Sequence, residues 1–190
     1  MSGPHPPLGE DERRALLHLA RSAIVARLEN LPPPDWPRDR PRLVRPQAAF
    51  VTLKTGAVLR GCIGSLDPHA SLADNVIRCA AAAATEDPRF PPLEPADAVE
   101  LRIEISVLGP LARVHTPLEE VVPGRHGLVV SSGSRRGLLL PQVAAEHGWD
   151  ARTFLGEACR KAGLPPDAWE RGATVQAFEA EVFGEEDFPV

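Results

Sequence analysis

Within five consecutive positions, Arg60 to Gly64 of the run "GAVLRGCIGSL", stand an arginine, a cysteine and two glycines. Cysteine brings nucleophilic and metal-ligating chemistry, and a neighbouring cation raises the thiolate fraction of a free thiol at neutral pH. In an extended chain alternate side chains share a face, so Arg60 and Cys62 are expected to point the same way, their Cα atoms about 6.6 Å apart. Glycine weakens strand interiors and marks places where something comes close to the backbone. Gly61 and Gly64 are therefore expected to leave N–H groups bare for a ligand. The same cysteine has a second reading as a small packing residue, because free cysteine is among the most buried side chains. The spacing leaves both readings open.

Two further clusters carry charge. "TEDPRF" places Glu86, Asp87 and Arg89 just beyond the end of an expected helix, where the dipole does not favour carboxylates. They either pair with arginine or face a ligand. In "VELRIEISV", Val99, Leu101, Ile103, Ile105 and Val107 alternate with Glu100, Arg102, Glu104 and Ser106. That period of two predicts a half-buried strand over 99–107. If its polar face is covered, those charges must be paired or functional. His69 is the one histidine near the cysteine in sequence and a candidate acid or base, or simply an exposed loop residue. Cys79 and Cys159 fall on apolar helix faces and read as core. The sequence holds no C-x-x-C, no H-E-x-x-H, no phosphate loop, no dinucleotide fingerprint and no nucleophile elbow, so no metal site is expected.

The elements that must position these residues can be read from periodicity and punctuation. Residues 1–9 are expected to form a disordered tail, and Leu16, Leu17, Ala20, Ile24 and Leu28 mark a helix over 10–30. "LPPPDWPRDRPRLVRP" is an extended crossing that Trp36 pins. Residues 48–63 read as a hairpin turning at Thr55-Gly56. Ser71 caps a following helix, with Asp74 three residues on. A short helix near 117–122 precedes a second hairpin turning around Gly133. Two more helices follow, the latter capped by Asp150 and stopped at Gly163. Residues 173–183 make one final strand before an acidic tail, 185–190. Hairpins interspersed with helices predict an α+β fold with antiparallel sheets and flanking helices.

Composition narrows the function. An apolar fraction of 43%, a charged fraction of 25% and no run of some 20 apolar residues describe a soluble globular protein. Three unevenly spaced cysteines and no signal-peptide pattern predict a cytoplasmic protein with reduced thiols. A net charge of −5, no tyrosine and six phenylalanines argue against nucleic-acid binding or base modification.

"FVTLKTGAVLRGCIGSL", "DPRFPPL", "ELRIEISVL", "GLLLPQV" and "ACRKAGLPPDAW", in this order, resemble the AMME chromosomal region (AMMECR) domain family. The resemblance runs from residue 10 to residue 184. In bacteria and archaea such chains are similar to protein A of the AmmeMemoRadiSam system. The resemblance implies two unequal, packed and intertwined subdomains, and association with a Memo-like protein and a radical SAM enzyme. It leaves the cofactor unknown and carries no established activity. It marks Arg60 and Cys62 as candidate catalytic residues, and Gly61, Gly64, Asp87, Arg89, Glu104 and Gln142 as candidate binding residues. Two functions stay open: binding of a small anionic substrate or a partner protein at "RGCIG", and thiol-dependent catalysis by Cys62.

Overall fold

The computed structural model describes residues 6–66 and 70–188. His69 lies outside the described residues. The chain forms two compact units, one built from Pro6–Leu108 together with the segment from Glu181, the other from Gly109–Ala180. Both units are α+β, each with an antiparallel sheet of four strands.

In the larger unit, helix α1 (Glu10–Leu28) buries Leu16, Leu17, Ala20 and Ile24, the apolar stripe read from sequence. Just before it, Leu8 is buried, and its N–H donates to Glu181 Oε2 at 2.9 Å. A short helix α2 (Pro41–Val44) ends the proline-rich crossing. Trp36 holds that crossing in place, buried, its indole N–H donating to Asp74 Oδ1 at 2.9 Å. Strands β1 (Ala49–Thr55) and β2 (Val58–Ser65) form the expected hairpin. Its turn uses Gly56 at φ +58°, a left-handed conformation glycine adopts without strain. Helix α3 (Leu72–Thr85) begins at Ser71, whose side chain accepts the Asp74 N–H.

A 3₁₀ turn (Pro95–Val99) then leads into β3 (Leu101–Leu108). The strand starts two residues later than its alternation suggests, and Val99, expected on the apolar face, is 83% exposed in that turn. Ala49, Val51, Leu53, Leu101, Ile103 and Ile105 meet Val76, Cys79, Ala80 and Ala83 of α3 in one core. With β8 (Ala180–Gly184) as its fourth strand, the sheet order is β2-β1-β3-β8.

The smaller unit contains β4 (Ala112–Arg113), α4 (Pro117–Glu120), the hairpin β5 (Gly127–Ser132) and β6 (Arg135–Leu139), α5 (Pro141–His147), α6 (Ala151–Lys161) and β7 (Thr174–Phe178). Its sheet runs β4-β7-β5-β6, and Phe154, Leu155, Ala158 and Cys159 of α6 pack with Leu128 and Val130. Residues 173–183 are not one strand. The run breaks at Glu179, so that β7 joins the smaller unit's sheet and β8 (Ala180–Gly184) joins the larger unit's.

Glu185 is buried, accepts Ile103 N–H at 3.0 Å and pairs with Arg21, whose Nε donates at 2.9 Å. Arg21 further donates to the carbonyls of Ala98 and Leu101. A carboxylate out of water needs such partners.

Gly61 faces α3 so closely that a Cβ there would lie 2.1 Å from the Ala83 carbonyl oxygen. The obstacle is backbone and cannot rotate away. Gly61→Ala is therefore expected to lower stability by about 1–3 kcal/mol, read as a fall in the urea midpoint at unchanged slope. An unchanged midpoint would refute this account of the glycine.

Candidate functional site

Cys62 lies on β2, the edge strand of the larger unit's sheet, directly opposite Thr52 of the central strand β1. Thr52 is in turn opposite Glu104 of β3. Antiparallel partners share a face, so Cys62, Thr52 and Glu104 form one row across three strands, on the side turned away from the core face of Val51 and Leu53. The Thr52 hydroxyl donates to Cys62 Sγ at 3.3 Å. Lys54, two residues along β1, holds its ammonium 3.5 Å from Glu104. Together with Arg102 and Asp187 these two border a hollow of about 110 Å³.

The backbone of Cys62 points off the sheet edge, where an edge strand leaves its polar groups without a neighbour. Two side chains take the neighbour's place. Asp87 Oδ2 accepts the Cys62 N–H at 2.8 Å, and Arg89 Nη2 donates to the Cys62 carbonyl at 3.2 Å. Arg89 is clamped on Asp87 by Nε at 2.9 Å and Nη2 at 2.7 Å, and its own backbone N–H adds a further bond at 3.1 Å. The Asp87 carboxylate thus receives four N–H donors while its side chain is 2% exposed. Bonding from Arg89, supported by the Cys62 N–H, outweighs burial and holds the carboxyl down at about 2. The same pairing with Asp87, aided by the neighbouring Cys62, pushes the Arg89 guanidinium up.

Both glycines have close neighbours where a side chain would stand. Gly61 admits α3, and Gly64 lies under the Phe50 ring, 2.2 Å from where its Cβ would be. Arg60 is also placed differently from its spacing. The register shifts by one residue between Leu53 and Lys54, so that Leu53 faces Gly61 and Lys54 faces Leu59, leaving Arg60 as the extra residue of a β-bulge. A bulge breaks side-chain alternation. The Arg60 guanidinium lies 3.7 Å from Asp97 in the 3₁₀ turn. The cation beside Cys62 is Arg89.

Gln142 sits in the smaller unit, half-buried at the second position of α5. Cys79 and Cys159 are fully buried, and burial pushes the Cys79 thiol up to about 11. Thr52 and Lys54 are additions that the motif did not single out. The alternation of "FVTLKT" already puts both on the polar side of β1, but the bulge decides that Thr52 meets Cys62. Among the described residues no three His, Cys, Asp or Glu side chains gather to hold a metal, and no helix is long and apolar enough to cross a membrane.

Known proteins agree with this architecture. The AMMECR1 family model matches residues 17–183. A protein of Methanopyrus kandleri is 44% identical over 93% of this chain and 90% of its own. One from Pyrococcus furiosus is 44% identical over 92% and 88%. The crystal structure of the uncharacterized protein PH0010 from Pyrococcus horikoshii superposes with a TM-score of 0.86 at 42% identity, covering 92% of this chain and 91% of that one. Matched by the family model over residues 17–183 and by relatives over more than nine-tenths of its length, the chain belongs to the AMMECR1 family.

Proposed function

We propose that the edge of β2 binds a small anionic ligand, with Arg89 as its cation and the Cys62 thiol at its side. One observation carries the reading. The Arg89 guanidinium is fixed by Asp87 and by the Cys62 carbonyl, yet its side chain remains 48% exposed, with Nη1 bonded to no described residue. A guanidinium already held in place loses less freedom on gripping a carboxylate or phosphate than a mobile one. Arg60, engaged by Asp97, contributes less. In this reading the protein works in the cytoplasm, and its ligand site serves a Memo-like protein and a radical SAM enzyme.

Thiol-dependent catalysis is the second reading. It rests on the row Cys62–Thr52–Glu104, in which a hydroxyl bonded to Sγ stands opposite a carboxylate. A cysteine nucleophile works with a nearby base, and Glu104 is the group the sheet offers.

Alkylation by iodoacetamide separates the cases. Cys62 is expected to react first. Burial raises the Cys79 thiol to about 11 against an ordinary 9.0, which leaves it about 100-fold less thiolate than an ordinary thiol. Inorganic phosphate is expected to slow modification of Cys62 in the wild type and in Arg60→Gln, but not in Arg89→Gln. Equal protection in all three proteins would overturn the anion site. If Cys62 reacts only on unfolding, both readings fail.

The clamp also has a pH signature. The Asp87 carboxyl falls from 3.8 to about 2 on folding. Its contribution of about 2 kcal/mol is therefore present above pH 4 and lost as pH drops toward 2. Asp87→Asn is expected to remove that part of the acid dependence in urea titrations. An identical pH profile in the variant would refute the clamp.

A further inference from the structure

A second hollow, of about 530 Å³, lies along the outer side of α1 where the proline-rich crossing passes it. Its volume is that of a small-molecule site, and apolar floors with a few placed polar groups are typical of such sites. Leu19, Trp36 and Leu43 supply the floor. Trp36 is fixed there, bonded to Asp74 through its indole and stacked by Arg38 with the guanidinium carbon 4.8 Å from the ring centroid.

The rim is charged, and its charges are arranged unusually for this protein. Along α1 the arginines meet carboxylates: Arg13 with Glu181, Arg21 with Glu185, Arg27 with Glu86, and Arg14, which lines this hollow together with His18, with Glu10. On this rim Arg40, Asp11 and Asp35 share one hollow without an ion pair between them, and none of the three has an ion-pair partner among the described residues. Arg40 is half-buried and held by a bond from Nη1 to the Asp11 backbone carbonyl at 3.0 Å. Asp35 is held by accepting the Trp36 N–H at 2.9 Å. Opposite charges thus stand beside one apolar floor, Arg40 and Asp35 each held by a bond to backbone, with no ion pair between them.

A simple anion would meet two carboxylates there, and a simple cation would meet a guanidinium. A molecule carrying both charges on one end and an apolar group on the other satisfies all three. We propose that this hollow binds a free apolar α-amino acid. Its carboxylate lies on Arg40, its ammonium faces Asp11 and Asp35, and its side chain rests on Leu19, Trp36 and Leu43.

The test is calorimetric titration of the full chain with L-phenylalanine, against 3-phenylpropionate, which lacks the ammonium, and L-phenylalanine amide, which lacks the carboxylate. Saturable binding of L-phenylalanine is expected, with each analogue at least about tenfold weaker, the worth of one charged hydrogen bond. Arg40→Gln and Asp35→Asn are each expected to weaken L-phenylalanine by a similar factor. Asp35→Asn keeps the acceptor for Trp36 N–H, so it reads the charge with the fold intact. No saturable binding overturns the proposal. So does equal binding of 3-phenylpropionate, or affinity unchanged in both variants. Cys62 alkylation in the Arg40→Gln protein separates this site from the β2 edge, because that rate is expected to stay at the wild-type value.

Discussion

The Asp87 carboxylate is the constraint around which the β2 edge of the larger unit's sheet is organised. An edge strand exposes N–H and C=O groups that would otherwise recruit water or another chain. At Cys62 both groups are engaged by Asp87 and Arg89, so the strand ends laterally at a side-chain clamp. Since Cys62 turns its backbone outward, its pairing with Thr52 is of the non-hydrogen-bonded kind, which brings opposite side chains closest. The 3.3 Å contact between Thr52 and Cys62 follows from that geometry. One buried carboxylate thereby fixes the backbone of the cysteine, the orientation of the arginine and the proximity of the hydroxyl.

Much of this could be read from the sequence, and what could not has local causes. The stripe of α1, the Ser71 and Asp150 caps, both hairpins and the alternation of β3 are properties of neighbouring residues, and the structure carries each of them. Asp87 and Arg89 were legible as part of a charged cluster just past the end of a helix, and only the family resemblance grouped them with the cysteine motif. That they hold the Cys62 backbone depends on where α3 ends, which periodicity does not reveal. Arg60 was misplaced because a single extra residue in β2 reverses the side-chain count beyond it. Without that bulge, the Thr55–Val58 pairing would set Thr52 opposite Gly61. The glycines marked a close approach correctly, but the approaching groups are Ala83 and Phe50 of the same unit.

The arginine-rich composition has a comparable double meaning. Most exposed pairs, such as Arg152 with Glu170, contribute little in water. Where the carboxylate is buried or half-buried the same pairing sets structure. Glu185 ties Arg21 to the start of β3, and Glu181 gathers Leu8, Arg13 and Arg42. Guanidinium groups suit this task because their planar fork meets several acceptors at once.

The division of 173–184 between two sheets has a temporal side. The larger unit's sheet needs β8 as its fourth strand, and β8 lies beyond the whole of Gly109–Ala180 in the chain. During synthesis α1, β1, β2, α3 and β3 can emerge and collapse while the flank of β3 and the carbonyls around Arg21 still await Glu185. The smaller unit, contiguous in sequence, can close on local information alone. Loop-closure entropy makes such a distant pairing slow. Biogenesis thus places a nascent chain under a waiting period in which its largest core exists with an open side, a window in which a chaperone would find it.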